Sequence, residues 1–374
     1  MKRILYYTAR DMTNPSFGIN KKIRNQIVAL RKQFYVDAVY RKNDHQLILE
    51  KNNGKEIVLA AGMKRPYKVQ GSRFLAEYLK KNTYAGCYIR YVFADREFYK
   101  VLKNLFKAHT KTVIEIPTYP YDAEMLDSLE NRIVLLLDRM YRNRMKSYVN
   151  KIATYSHDSM IFGIPAFQVI NGVDFEKIPV AIHDGQDRTI RMLAVADLAK
   201  WHGYDRLLEG MGQYYQQGGK RELHFYLAGQ GQELEMYQEI VSRYGIDDKV
   251  TFCGSVYGDE LDRLYDKCIL AVECLGAHRK GLKLSSSLKS REYSAKGLPM
   301  ITAVDIDIFD VRNYPYVCKF EENETPINIK RVIQFYDDIY DGKDYNIIAG
   351  QIRNYAQGLC DMDIVMKPVI DCFL

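Results

Sequence analysis

Residues 285–299 read SSSLKSREYSAKGLP. A serine cluster ahead of a run of helix formers, closed by Gly297-Leu298-Pro299, marks a helix with Ser285 or Ser286 as its cap. Lys289 then falls in the first turn, where the helix dipole is already positive. That placement is locally unfavourable unless an anion joins it. Exposed backbone N–H groups at such a tip bind phosphate, and Lys289 would add a point charge to the same anion. Glu292 lies three residues on, one turn along the same face. A carboxylate accepting from two adjacent hydroxyls is a common way to hold a ribose. Phosphate at the tip and ribose one turn along describe a nucleotide. The same spacing also suits a plain surface ion pair between Lys289 and Glu292.

Four further segments pair a strand end with polar or flexible residues. VADLAKWHGYDRLLEGM (195–211) enters a helix through Gly203, and its Lys200 and His202 would reach a diphosphate. The structural alternative is a solvated loop with Trp201 packed on the core. LAGQGQEL (227–234) places Gln230 in a tight glycine turn but lacks the third glycine of a dinucleotide fingerprint. FCGSVYGDEL (252–261) sets Val256 and Tyr257 to face a flat base, and GAHRKG (276–281) offers His278 and Arg279. Asp305-Ile306-Asp307 spells a DxD triplet, whose carboxylates would chelate a divalent cation on a diphosphate. It follows a late strand, beyond the ribose position, and basic groups already serve the diphosphate, so no metal is expected.

The elements that must position these residues alternate. Apolar runs such as RILYYT (3–8), TVIEIP (112–117), RMLAVA (191–196) and ILAVEC (269–274) read as strands, with helical periodicity between them. One helix is expected from Asp122 to Met145, and Asn53-Gly54 signals a hairpin. Strand–helix alternation in two tandem blocks predicts an α/β chain of two Rossmann-like domains. Their boundaries fall at 1–178 and 186–358, with the polar stretch 175–189 as linker and a final helix, about 360–374, returning to the first domain. Ligands of such sheets sit outside the carboxyl ends of the strands, where the polar segments above lie.

Composition narrows the class. The 374 residues are 47% hydrophobic and 27% charged, as in globular proteins. No apolar run nears the roughly 18 residues of a membrane span. The start, MKRILYYTARD, reads as a strand and not a signal peptide. Seven scattered cysteines without CxxC spacing point to reduced thiols in the cytoplasm and against zinc. Net charge is +7, but residues 1–175 carry 30 Lys+Arg against 16 Asp+Glu, so the first half is +14 and the remainder −7. The basic half would face a phosphate-bearing acceptor, nucleic acid or the anionic inner surface of a membrane, or else simply water. KKIRNQIVALRKQ (21–33) and MKRPYKVQGSRFLAEYLKK (63–81) are the basic stretches for a membrane contact.

FGINKKI near the start, IEIPTYPYDAE, NGVD (171–174), WHGYDRLL, GQGQEL, HRKG and LKSREYSAKGLP, in this order, resemble the family 4 glycosyltransferases of the GT-B fold. The likeness is to bacterial enzymes of capsular and exopolysaccharide assembly in particular, and it spans nearly the whole chain. It implies a nucleotide-sugar donor bound mainly by the second domain, in a cleft between the two, and an acceptor, a glycan or lipid-linked glycan, bound mainly by the first. Carried over by position, Glu292 binds the ribose. Lys289 and the Ser285, Ser286 and Ser287 tip lie by the diphosphate with Lys200 and His202. Gly18 lets backbone approach the donor, and Glu115, Thr118, Tyr119 and Tyr121 form the acceptor side.

The sequence departs from that pattern in three places. The first glutamate of a common pair is Leu284, a common arginine is Asp197, and a common histidine is missing from the segment Glu115 to Tyr119. His278 or Arg279 would stand in for the first glutamate. The resemblance implies retention of configuration, the leaving phosphate taking the acceptor's proton. Lys289, Arg279, His278 and Lys200 would then stabilise the developing charge without a cofactor or obligatory metal. A sugar-nucleotide epimerase on the same architecture is the alternative enzyme. A nucleic-acid binder using the basic half is the alternative outside enzymes, although no recognition helix or aromatic RNA motif supports it and no nucleic-acid partner is expected.

Overall fold

A computed structural model describes residues 1–15, 17–126, 128–182 and 189–374. The chain divides into two compact units, residues 1–170 with 362–374, and residues 171–361. Residues 183–188 of the expected linker, including the expected domain start at 186, lie outside the described residues. Its first residues pack into the second unit: Phe175 is fully buried, and its carbonyl accepts from Arg353 at 2.5 Å.

The first unit is built on β1 (Arg3–Asp11), β2 (Tyr35–Lys42), β3 (Gln46–Glu50), β4 (Glu56–Ala60), β5 (Gly86–Arg90), β6 (Lys111–Ile116), β7 (Lys151–Thr154), β8 (Met160–Ile161) and β9 (Ile164–Gln168). Its first four helices are α1 (Gly18–Arg31), α2 (Tyr67–Leu79), α3 (Arg96–Lys107) and α4 (Leu129–Arg142). The sheet order is β4-β3-β2-β1-β5-β6-β7-β9-β8. Pairing is parallel from β2 across to β9, and antiparallel at both edges. The β3–β4 hairpin turns at Gly54, whose φ of +82° a side chain would resist. The expected helix from Asp122 to Met145 is shorter, because Ser128 caps α4 by accepting from the Asn131 N–H at 3.2 Å.

The second unit follows the parallel plan throughout its main sheet. Its strands are β10 (Ile190–Val195), β11 (Leu223–Ala228), β12 (Val250–Gly254), β13 (Leu270–Val272), β14 (Leu284–Ser285), β15 (Met300–Thr302), β16 (Asp305–Ile306) and β17 (Val317–Lys319). Its helices are α5 (Tyr204–Gln216), α6 (Leu234–Tyr244), α7 (Gly258–Lys267), α8 (Leu288–Lys296), α9 (Ile329–Tyr340) and α10 (Tyr345–Cys360). The order β12-β11-β10-β13-β15-β17 reverses direction between β10 and β13, and the small β14–β16 pair stands apart. Ligands of open parallel sheets collect at such a reversal. A buried apolar core from Ile190 to Ile352 fills both faces of this sheet.

The last helix, α11 (Met362–Asp371), belongs to the first unit. Phe373, 3% exposed, lies edge-on to Phe34 with centroids 6.1 Å apart. Its ring fills space that only a glycine leaves open: a Cβ on Gly86 would come within 2.5 Å of it. Lys2 donates to the Phe373 and Leu374 carbonyls at 2.9 and 2.6 Å, so the two chain ends are tied together. Phe373→Ala should therefore lower the stability of the first unit by about 3 kcal/mol, read as an earlier transition in urea. An unshifted midpoint would show that the C-terminal segment is not part of that core.

Candidate active site

The reversal between β10 and β13 is held by backbone. Leu275 N–H donates to the His202 carbonyl at 2.8 Å. A Cβ on Gly203, which has φ +68°, would come within 2.4 Å of the Gly276 nitrogen. Neighbouring strand ends are laced in the same way. Leu198 N–H donates to the Gln230 carbonyl at 2.8 Å, and Gly229 N–H to the Gly254 carbonyl at 2.7 Å. The polar segments picked out in sequence thus share the carboxyl ends of β10, β11, β12 and β13.

At the tip of α8 the cap is Ser287, not Ser285 or Ser286. Ser285 is taken into β14, paired with β16, and the Ser286 carbonyl accepts from the Asn171 amide. Ser287 Oγ accepts from the Ser290 N–H at 3.1 Å and donates to Glu273. Glu273 is fully buried at the end of β13, where it also accepts from the Cys274 N–H. Sequence reading passed over this glutamate. Its signal was there, one carboxylate in the apolar run ILAVEC.

Lys289 occupies the first turn behind that cap. Its Nζ makes one long contact, 3.4 Å, to the Tyr204 hydroxyl. No carboxylate lies within ion-pair distance of it among the described residues. His202 stacks on Tyr204 with centroids 5.5 Å apart and planes 8° from parallel. Burial, reinforced by Lys289 and Lys280, holds the His202 imidazole down to about 3. His202, expected by the diphosphate, is therefore neutral. Its Nδ1 accepts from the Ala199 N–H at 3.2 Å, which leaves the proton on Nε2 as a donor.

Arg279 and His278 have other work. Arg279 grips Asp205 with two bonds of 2.9 and 2.6 Å and donates to the Lys200 carbonyl at 2.7 Å. It also pairs with Glu324, which accepts from His278 Nε2 at 2.6 Å. Arg279 thus clamps the 200–205 turn onto the 277–280 turn, and its charge is already neutralised by carboxylates. The Arg279 bonds, with His278 behind them, hold Glu324 down to about 2 against its partial burial. The Lys200 side chain is exposed, and Lys280 lies over the Trp201 ring, 3.1 Å from its centroid. Tyr257, 55% exposed at the start of α7, offers an open ring, whereas Val256 is buried below it. Leu284 is exposed on β14, and half-buried Glu292 lies one turn beyond Lys289. Both DxD carboxylates are engaged: Asp305 pairs with Lys319 at 2.7 Å, and Asp307 with the fully buried Arg291.

The first unit has its own concavity at the carboxyl ends of β1, β5 and β6, a cavity of about 700 Å³. Thr118 and Tyr121 line it, as do Phe17 and Ile19 on either side of exposed Gly18. Glu115 and Tyr119 do not. Tyr119 packs edge-on to Phe162, and the Tyr121 hydroxyl donates to buried Asp138 at 2.5 Å. Glu115 is wholly buried behind the wall, accepting from Gln26 at 2.9 Å, Tyr88 at 2.8 Å and Lys22 at 3.3 Å, and pairing with Arg90. Burial alone would raise its pKa. Lys22 and Arg90 outweigh that and hold it at about 2. It is enclosed by these partners and does not reach the cavity, against the expected acceptor-side position.

Residues 180–302 match the family model of the glycosyl transferases group 1. Among curated proteins none matches this chain. Solved structures share its architecture over nearly the full length. A glycosyltransferase from Rickettsia africae is 11% identical, with a TM-score of 0.65 over 100% of this chain and 97% of that one. Sucrose-phosphate synthase from Thermosynechococcus elongatus is 13% identical, at 0.64 over 100% and 98%. The Anabaena protein HepE with UDP and glucose is 12% identical, at 0.60 over 99% of each chain; it has also been solved with UDP-glucose. Likeness at such identities establishes the fold, which is GT-B. With the group 1 domain it defines the chain as a glycosyltransferase by class.

Neutral His202 has a measurable signature. Its pKa is depressed in the fold, so below about pH 6.5 the unfolded chain takes up a proton that the folded chain refuses. Stability contributed by the neutral ring is complete above that pH and falls steadily towards the folded value of about 3. Between pH 7.5 and 5 the wild type should lose about 2 kcal/mol more than His202→Gln, measured by urea unfolding. Parallel pH profiles would mean that His202 is accessible and charged.

Proposed function

We propose that the chain is a retaining glycosyltransferase that moves a sugar from a nucleotide-diphosphate donor to a lipid-linked glycan, in the assembly of a bacterial surface polysaccharide. The observation that carries this reading is Lys289. It is a cation without a carboxylate partner among the described residues, in the first turn of a helix, at the reversal of a parallel sheet. The group 1 match over 180–302 covers that segment. HepE, solved with UDP-glucose, makes a uridine diphosphate sugar the first donor to try.

The donor diphosphate lies at the N–H groups of α8, with Lys289 beside it and the His202 Nε2–H as a neutral donor. Glu273 orients the Ser287 hydroxyl, and so shapes the helix tip. Glu292 takes the ribose hydroxyls, and Tyr257 stacks on the base. As the sugar–phosphate bond breaks, charge builds on the leaving oxygen, where Lys289 and the helix tip stabilise it. The acceptor hydroxyl attacks from the same face and passes its proton to the departing phosphate, without a protein nucleophile or a required metal. Arg279 is a positioning residue that keeps the 200–205 turn in place.

A panel of nucleotide sugars in a thermal-shift assay should give one clear stabilising donor. Glu292→Ala should then weaken that donor at least tenfold with an unchanged melting point. Lys289→Ala should lower kcat about a hundredfold at saturating donor. Donor affinity unaltered in the first variant, or wild-type turnover in the second, would remove this assignment.

Peripheral membrane contact is part of the proposal, and α4 is the surface that supports it. No helix among the described residues is long and apolar enough to cross a membrane. On α4, Leu129 (77% exposed), Ile133 (62%), Leu136 (62%) and Met140 (54%) face outward together, beside exposed Arg132, Arg144 and Lys146. An apolar stripe flanked by basic residues lies in the interface of an anionic bilayer. The basic stretch at 21–33 is a poorer candidate, because Lys22, Arg24, Arg31 and Lys32 are paired with Glu115, Glu50 and Asp363. Co-sedimentation with phosphatidylglycerol vesicles should fall at least tenfold in Ile133→Asp/Leu136→Asp. Equal pelleting of this variant and the wild type would rule α4 out.

A further inference from the structure

The first-unit cavity carries more positive charge than its own residues neutralise. Arg10, Arg41, Lys68 and Arg90 line it, with Asp11 and Asp44 as the carboxylates of the wall. Two of these cations are accounted for. Arg90 is held by Glu115, and Arg41 pairs with Asp44 and donates to the Ala9 carbonyl at 2.6 Å. Asp11 accepts from the backbone N–H groups of Thr13 and Asp44, at 2.8 and 2.9 Å, and from the Thr13 hydroxyl. It is thereby tied to the loops.

Arg10 and Lys68 remain. Arg10 donates through Nε to the Asn20 side chain at 2.8 Å, and among the described residues neither Arg10 nor Lys68 has a carboxylate within ion-pair distance. Each cation raises the energy of the other. Loss of water around the groups, and then Arg90 and Arg41 for Arg10 or Arg41 and Arg10 for Lys68, push both pKa values down. Like charges gathered in a concave, partly desolvated wall are unfavourable until an anion enters. The wall itself holds four cations, Arg10, Arg41, Lys68 and Arg90, against two carboxylates, Asp11 and Asp44, an excess of two, with Glu130 a further carboxylate acting on Lys68 from beyond it. That excess matches a doubly charged oxyanion better than a carboxylate. Thr8, Thr13 and Thr118 add polar side chains to the same wall.

We infer that this cavity recognises a phosphoryl group of the acceptor, held by Arg10 and Lys68 with Arg41 and Arg90 as fixed walls. The inference rests on the reading of the chain as a sugar transferase with its acceptor on the first unit. A phosphorylated acceptor arises from an enzyme that has already transferred a sugar phosphate or attached a glycan to a phosphate carrier. A membrane lipid headgroup and a free sugar phosphate present the same chemistry.

Inorganic pyrophosphate is the direct probe, titrated calorimetrically into the full chain. Lys289→Gln weakens the second-unit phosphate position, and pyrophosphate should still bind this variant at the first unit. Adding Lys68→Gln and Arg10→Gln should weaken that remaining binding at least tenfold, with the circular dichroism spectrum unchanged. Lys68→Gln alone, at the exposed rim, is the variant least able to disturb folding and should still weaken it severalfold. Arg10→Lys should restore most of what Arg10→Gln loses. Glucuronate should bind more weakly than methyl phosphate. Phosphate-bearing vesicles and soluble methyl phosphate, compared in the Ile133→Asp/Leu136→Asp background, separate the lipid source from the free one. Pyrophosphate binding that ignores Arg10 and Lys68 would overturn the inference. So would loss of nucleotide-sugar affinity in Arg10→Gln/Lys68→Gln, since the cavity would then serve the donor. A wild type that binds no nucleotide sugar would overturn the transferase reading instead and leave the pyrophosphate result standing.

Discussion

One backbone hydrogen bond, from the Leu275 N–H to the His202 carbonyl, joins the two loops that leave the second sheet in opposite directions. It forms because Gly203 and Gly276 let main chain touch main chain; a methyl group at either would collide with the facing loop. That contact fixes the 200–205 and 275–280 turns against each other. His202 is turned inward onto Tyr204, Tyr204 presents its hydroxyl to Lys289, and Arg279 reaches across to Asp205. The loops could not approach so closely if either glycine carried a side chain, and the groups they hold would lose their common focus.

The site separates its charges by purpose. Cations that organise loops are neutralised by carboxylates: Arg279 by Asp205 and Glu324, Arg291 by Asp307, Arg90 by Glu115. Lys289, Arg10 and Lys68, by contrast, are left without such partners among the described residues. A buried ion pair is rigid because breaking it strands a charge in a poor solvent. An uncompensated cation stores electrostatic energy that a bound phosphate releases. The same division recurs at the carboxyl ends of both sheets.

Much of this was legible in the chain. Strand–helix alternation and strand-end glycines announced two parallel sheets, because period and turn chemistry are local properties. The place of Lys289 in a serine-capped first turn was legible for the same reason. The cap itself was misplaced by one or two residues, since Ser285 was drawn into a strand by a distant partner, Ile306. His278 and Arg279 read as free cations because their neutralising partner, Glu324, lies about 45 residues further on. Glu115 read as an acceptor contact because its strand-end position was visible and its burial was not.

The sequence by itself determined the elements, their order, the glycines that turn them and the cationic helix tip, all set by neighbours within a few residues. Tertiary structure decided which charges are free. Ionisation, burial and pairing depend on groups brought together from distant positions, and no spacing rule encodes them. That is why the neutral state of His202, the cap-orienting Glu273, and Arg10 and Lys68, unpaired with any carboxylate among the described residues, emerged only once the chain was folded.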